Sequence, residues 1–267
     1  MKLKALFAGV VLALGANAAN AAIATGETSS GELFLSVWDK TAQVSYSQDL
    51  NIDLFQFLTN TSAGGFNSNA SWSVALNPAW AGFYNPANAA NTVYNVAAAD
   101  LDNGKLNAVD QTYGYLSSFN TSNPAPVPAN NVAAVSTPAK EIVAKAIVYN
   151  ANLADAEQYS SGPSYYPNAW GSDFNTKVPV NQSNDAAIDQ VLAAVFHGLS
   201  STLGTDPDTG DLFVQDRFDI LPGKFQLTAT ELKYTVAPAT VPVPGAVWLL
   251  GSALAGFVSI ARRGKRA

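Results

Sequence analysis

The chain has 267 residues, no cysteine and one histidine, and carries 14 basic against 20 acidic side chains. That inventory excludes disulfides, zinc–thiolate sites and thiol nucleophiles, and with a single histidine it excludes the usual zinc, copper and haem ligand sets. Stability has to come from an ordinary apolar core, which 48% hydrophobic residues can supply.

At the N-terminus Lys2 and Lys4 precede the apolar run Ala5 to Ala16, followed by small residues and Ala19-Asn20-Ala21. A basic start, a short apolar core and an A-x-A site predict a secretory signal peptide over residues 1–21, cleaved at Ala19/Ala21 after passage through the Sec machinery. The body expected over residues 22–240 keeps all 20 acidic groups but only eight basic ones, a formal charge of −12. Such a surface repels nucleic-acid phosphates and offers no basic stripe for them; its ordinary use is solubility, and divalent cations are the ligands it would suit.

Within the body, Glu32 to Val44 reads as a strand buried on both sides, with a turn at Asp39-Lys40-Thr41-Ala42 and a return strand from Gln43. Asp53 to Phe57 reads as one helical turn or another strand. Trp72 to Leu76 and Thr92 to Ala98 alternate as strands, and Phe213 to Ile220 with Phe225 to Val236 reads as a hairpin around Leu221-Pro222-Gly223-Lys224. Two stretches break that pattern. Thr137-Pro138 is a cap and first-turn proline for a helix over Ala139 to Ala154. Asn184 or Asp185 caps a second over Ala186 to Ser200, with Ile188, Val191, Leu192, Val195, Phe196 and Leu199 as its stripe. Asn123 to Asn131 and Gly162 to Val180 read as long loops. The expected fold is mainly β: an antiparallel β-sandwich with one or two helices.

Candidates for chemistry are few. His197 falls in the second helical stretch, and no Gly-x-Ser-x-Gly elbow accompanies it, so a structural histidine is expected. Asp100 to Asp110 and Asp206 to Asp216 both follow Asp-x-Asp-x-Gly-x-Leu-x-x-x-Asp. Alternating oxygen ligands with a glycine turn resemble a calcium loop, but glycine replaces the fifth-position ligand and a hairpin turn is the simpler reading. Tyr165, Tyr166, Trp170, Trp72, Trp80, Phe83 and Tyr84 sit in Asn- and Pro-rich surroundings; they either stack on sugar rings or anchor loops to the core. No catalytic or cofactor site emerges and the chain is read as a non-enzyme. The alternatives are a polysaccharide hydrolase working through paired carboxylates and a calcium-stabilised adhesin.

The C-terminus is the most specific part. Pro242-Val243-Pro244 leads into Gly245 to Ala261, which holds no ionisable residue and spans about 25 Å as a helix, enough to cross a bilayer at the short end of the range. Trp248 lies near its outer end, and Arg262, Arg263, Lys265 and Arg266 follow as a cytoplasmic basic anchor. The prolines cannot donate backbone hydrogen bonds and keep the approach extended.

In this order, Pro242 and Pro244, then Trp248-Leu249-Leu250-Gly251-Ser252 after Gly245, then the basic end, the tail over residues 241–267 resembles the PEP-CTERM sorting signal of Gram-negative bacteria. Val243 stands where the name-giving triplet carries its acidic residue. The resemblance covers about a tenth of the chain and implies recognition and cutting by an exosortase-type membrane protease. It implies transient anchoring in the inner membrane, delivery to the outer surface or the extracellular space, and association with exopolysaccharide or biofilm. The body between the two ends is then expected to be structural or adhesive.

Overall fold

The computed structural model describes residues 22–27, 29–62, 65–101, 113–120, 132–150, 156–171, 185–200 and 215–237. Ten strands form one sheet in which every pairing is antiparallel: β1 (Glu32–Asp39), β2 (Val44–Asp53), β3 (Trp72–Ala75), β4 (Thr92–Asp100), β5 (Gly114–Asn120), β6 (Ala156–Tyr159), β7 (Ala186–Ala187), β8 (Val191–Ser200), β9 (Gln215–Leu227) and β10 (Glu231–Val236). The order is β3-β10-β9-β8-β5-β4-β1-β2-β6, with β7 beside β4. The mainly antiparallel β character matches the expectation; the two-sheet sandwich does not. Pairing runs unbroken from β3 to β6, so the sheet curls on itself into a nearly closed barrel rather than dividing into two layers.

Strand alternation fills the inside. Leu33, Leu35 and Val37 of β1 meet Tyr46 of β2, Tyr94 and Val96 of β4, Phe196 of β8 and Phe225 of β9 in one buried cluster. Gln48 draws the two ends of the sheet together. It lies on β2 beside the edge strand β6, yet its Nε2 donates to the Ala75 carbonyl of β3 at 3.2 Å. Its Oε1 accepts from Asn77 N at 3.0 Å and from the Tyr46 hydroxyl at 2.6 Å. The gap that hydrogen-bonded strands leave open is thus bridged by one side-chain amide.

The outer face of β1, β4 and β5 is covered by α3 (Val132–Asn150) and α4 (Tyr166–Trp170); α1 (Leu54–Thr59) and α2 (Trp80–Phe83) add Leu54, Phe57, Trp80 and Phe83 to the inner cluster. Asp53 caps α1, its carboxylate accepting from Gln56 N, which resolves the choice left open at Asp53 to Phe57 in favour of helix. The β1–β2 turn is as read: Asp39 Oδ1 accepts from Thr41 N and Ala42 N, each at 2.8 Å.

Three elements differ from their sequence reading. Ala186 to Ser200 is not a helix but β7, a turn and β8. Both faces of β8 are buried, with Leu192, Ala194 and Phe196 inward and Ala193 and Val195 outward, so the run shows no polar alternation and its apolar positions also fit a helical stripe. Leu221-Pro222-Gly223-Lys224 is not a hairpin turn. β9 runs through it, and against β8 the register moves from Val195↔Ile220 to Ala193↔Lys224, a bulge that accommodates the proline's missing N–H. The turn lies instead at Thr228 to Glu231, where Thr228 and Glu231 exchange backbone and hydroxyl hydrogen bonds. Finally, α3 starts at Val132, placing Pro138 inside the helix instead of at its first turn. Its buried face, from Val135 through Ala139, Ile142, Val143 and Ala146 to Tyr149, continues across the proline, and that packing offsets the lost intrahelical bond.

Within the expected loop Gly162 to Val180 the structure has α4; Asn123 to Asn131 lies outside the described residues. Among the described residues no helix is long and apolar enough to cross a membrane, and the span Gly245 to Ala261 lies outside them.

Candidate functional site

The sorting residues Pro242, Val243, Pro244, Gly245, Trp248, Leu249, Leu250, Gly251, Ser252, Arg262, Arg263, Lys265 and Arg266, and the leader residues Ala19 and Ala21, all lie outside the described residues. What the structure describes is the body between them. It is fastened at both limits. Ile23 is buried and its backbone exchanges two 2.8 Å hydrogen bonds with the Asn150 side chain. At the other limit Val236 N donates to Ser71 Oγ at 2.9 Å.

Beneath α3 and α4, on the outer face of the sheet, several polar side chains converge. Ser36 of β1 and Asn95 of β4 are paired across the strands and both fully buried. Ser36 Oγ and Tyr149 Oη are hydrogen-bonded at 3.1 Å, and Trp170 Nε1 donates to the same phenol oxygen at 3.1 Å. Asn95 Nδ2 donates to Tyr166 Oη at 3.0 Å, and Tyr166 Oη donates to Asp185 Oδ2 at 3.5 Å. The rings close over this seam: Trp170 stacks on Phe34 at 6.4 Å, Tyr166 stacks on Trp38 at 5.6 Å, and Lys40 lies over Trp38. Burial pushes the Tyr149 phenol up to about 12, against the opposing pull of its bonds to Ser36 and Trp170. It stays neutral at physiological pH. The seam ties the two helices to the barrel wall. The sequence reading missed it; its trace is a single polar residue on an otherwise apolar strand face, as Ser36 between Phe34 and Trp38.

His197 lies in β8, not in a helix, and is buried. Its Nδ1 is 3.0 Å from Tyr115 Oη, and its ring packs edge-on against Phe218 at 5.6 Å.

Five of the seven singled-out aromatics, Trp72, Trp80, Phe83, Tyr166 and Trp170, are buried. Trp80 Nε1 donates to the Ala229 carbonyl and Trp72 Nε1 to that of Asn67, so these indoles pin loops to the barrel rather than presenting a sugar-stacking face. Tyr165 and Tyr84 are half-buried, and Tyr165 Oη donates to Gln43 Oε1. Of the two Asp-rich repeats, only Asp100 and Leu101, and Gln215 and Asp216, are described; Asp100 is fully buried at the end of β4 and Asp216 lies in β9. Among the described residues no group of three or more His, Asp or Glu is placed to hold a metal ion.

Glu32 and Asp53 face each other across β1 and β2, the kind of carboxylate pair a hydrolase would need. Both are committed to the backbone: Glu32 Oε2 accepts from Ala24 N at 2.7 Å and Asp53 caps α1. Burial first, and the Asp53 charge with it, raise the Glu32 carboxyl above its ordinary range, while the Ala24 N–H pulls it down. Folding therefore favours the protonated acid. That contribution is present below the unfolded value and is lost as pH rises through the folded one. Replacing Glu32 by Gln keeps an acceptor for Ala24 N without the charge. The Tm should rise at about pH 7 and match the parent at about pH 3 in thermal melts; an unchanged Tm at neutral pH would contradict the assignment.

A shallow groove of about 400 Å³ follows α3, lined by Lys140, Val143, Ala144 and Ile147 with Glu27 and Leu101 opposite. Ile147 is one of the few large exposed apolar side chains among the described residues. Compared with protein-family profiles, with curated proteins and with solved structures, the chain finds no match in any of the three.

Proposed function

We propose that the protein is an exported surface or extracellular-matrix component, carried across the inner membrane by its leader, held there by residues 245–261 and released when the tail is cut near Pro244. The observation that carries this reading is the tail itself: Pro242 and Pro244, an uncharged span and four basic residues, in that order. The body supports it. A barrel filled by its own side chains, knitted by hydrogen bonds and free of cysteine, is a durable module for a structural or adhesive role at the cell surface, and its charge of −12 keeps it soluble there. An exosortase-type protease, the Sec machinery and exopolysaccharide are the partners this reading names.

The test is the intact mass and location of the protein in its native host, with and without the candidate processing protease. Loss of the residues after Pro244, with appearance outside the cell only when the protease is present, is the expected result. A mature chain that retains Arg262 to Ala267 in the inner membrane would overturn it. Replacing Arg262, Arg263, Lys265 and Arg266 by Ser or Gln should abolish retention in the correct orientation and with it tail cutting.

A further inference from the structure

β9 is paired on both sides only in its second half. β10 covers it from Gly223 to Leu227, whereas β8 runs beside it from Gln215 to Gln226. The direction of the remaining backbone groups follows from the ladder on the other side. Leu199 N donates to the Tyr113 carbonyl, so in β8 the backbone groups of Leu199, His197 and Val195 turn towards β5, and those of Gly198 and Phe196 towards β9. Alternation then sets the N–H and C=O of Arg217 and Asp219 on the β8 side, and those of Asp216, Phe218 and Ile220 on the opposite edge. Among the described residues no strand pairs with that edge ahead of Gly223. The edge is also apolar. Phe218 packs with Phe119, Ala193 and Val195 on the outer wall, and Ile220 beside it is 57% exposed, the most exposed large apolar side chain among the described residues.

An open strand edge is a template for another strand. We infer that this edge joins two copies of the chain, paired antiparallel across a twofold axis at Phe218, so that one sheet continues into the other. The edge is self-complementary in that register. Phe218 exchanges both backbone hydrogen bonds with its own equivalent, and Ile220 does so with Asp216 of the second copy. Ile220, exposed in the single copy, then lies diagonal to the Phe218 ring of the second. Neighbouring registers are worse. A centre at Asp219 sets like charges directly opposite each other, and a centre at Ile220 brings Pro222, which has no N–H, against Phe218. The Phe218 centre instead sets Asp219 opposite position 217, an arginine. This contact stands apart from the export reading and does not depend on how the tail is cut. One strand edge buries less than a standard interface, so the association is weak in dilute solution and is read best by cross-linking.

Because the chain has no cysteine, single cysteines report position cleanly. In this register the Cα atoms at 218 in the two copies are about 5.5 Å apart, inside the disulfide range, and those at 220 about 13 Å apart, outside it. Full-length Phe218→Cys and Ile220→Cys chains in detergent micelles are oxidised mildly and followed on non-reducing gels. Phe218→Cys should dimerise at least about tenfold faster, although position 220 is the more exposed of the two. Adding Ile220→Pro removes an edge donor without touching the β8 ladder and should slow the Phe218→Cys reaction to the Ile220→Cys rate. Ile220→Lys, which keeps the backbone and brings charge to the contact, is the second variant, and circular dichroism with thermal melts shows which variants are folded. Equal rates at the two positions, or a fast Phe218→Cys reaction that no folded variant slows, would overturn the contact. So would a folded Phe218→Cys chain that stays monomeric, which would mean that the edge is covered in another way.

Discussion

Replacing Trp170 by Ala should lower the stability of the body by about 4 kcal/mol, among the largest effects a single side chain here can have. The indole is fully buried between α4 and the sheet. Its removal leaves a cavity beside Phe34, on which it stacks, and takes away the N–H that donates to Tyr149 Oη. Tyr149 keeps its bond to Ser36, so the loss is mainly one of packing, with one buried acceptor left less satisfied. For a body of this size the Tm should fall by about 10 °C. Trp170→Phe retains a ring against Phe34 and should lose only about 1–2 kcal/mol. Urea unfolding of the two variants separates these expectations by midpoint at a common slope. A cost below about 1 kcal/mol for Trp170→Ala would mean that α4 does not cover this face.

The burial of Trp170 is not fixed by the sequence, where it stands in an expected loop as a ring that could face a sugar or anchor the loop to the core. The difference lies in what local pattern encodes. The β1–β2 hairpin was legible because its turn is built by one residue, Asp39, whose carboxylate accepts from the next turn's amides, and because its strand is short and dense in apolar side chains. β8 was not legible, because a strand buried on both faces has no polar side to alternate with, and Val191-Leu192-Ala193-Ala194-Val195-Phe196 satisfies a helical stripe equally well. The β-branched Val191 and Val195, and the glycine at 198, were the available hints. The bulge at Leu221 to Lys224 was misread for a similar reason: Pro-Gly marks a departure from regular pairing, and only the partner strands decide whether the departure is a turn or a bulge. A barrel differs from a sandwich in long-range pairing alone, and Gln48 reaching from β2 to Ala75 leaves no mark in nearby sequence.

The proposed function rests on a different kind of signal. The two ends, read as addresses, are written in short contiguous segments whose physics is local: basic, apolar, small at one end, proline, apolar, basic at the other. The buried seam of Ser36, Asn95, Tyr149, Tyr166 and Asp185 is assembled from five separate elements or connections, and no spacing rule joins them. The same holds for His197, whose hydrogen-bond partner Tyr115 lies 82 residues away.

Gly114→Ala should be as damaging as the loss of Trp170, through backbone rather than side chain. Gly114 opens β5 opposite Gly198 of β8 with φ +150°, where residues bearing a Cβ are strained. A Cβ there would lie 2.3 Å from the His197 carbonyl oxygen and 2.5 Å from Gly198 Cα. Both neighbours are backbone, so no rotamer change relieves the clash, and β5 and β8 must part at the end of the ladder that carries the Tyr115–His197 bond. Strain and overpacking together should cost about 3–5 kcal/mol. Gly162 supplies the control. It also has positive φ, +83°, but nothing lies within 4 Å of the point a Cβ would occupy, so Gly162→Ala should cost only about 1 kcal/mol. Chemical denaturation of the pair isolates the close approach of the strands from the φ penalty they share. Equal losses for the two variants would mean that β5 and β8 are not packed backbone to backbone at Gly114, and the barrel wall would have to be redrawn there.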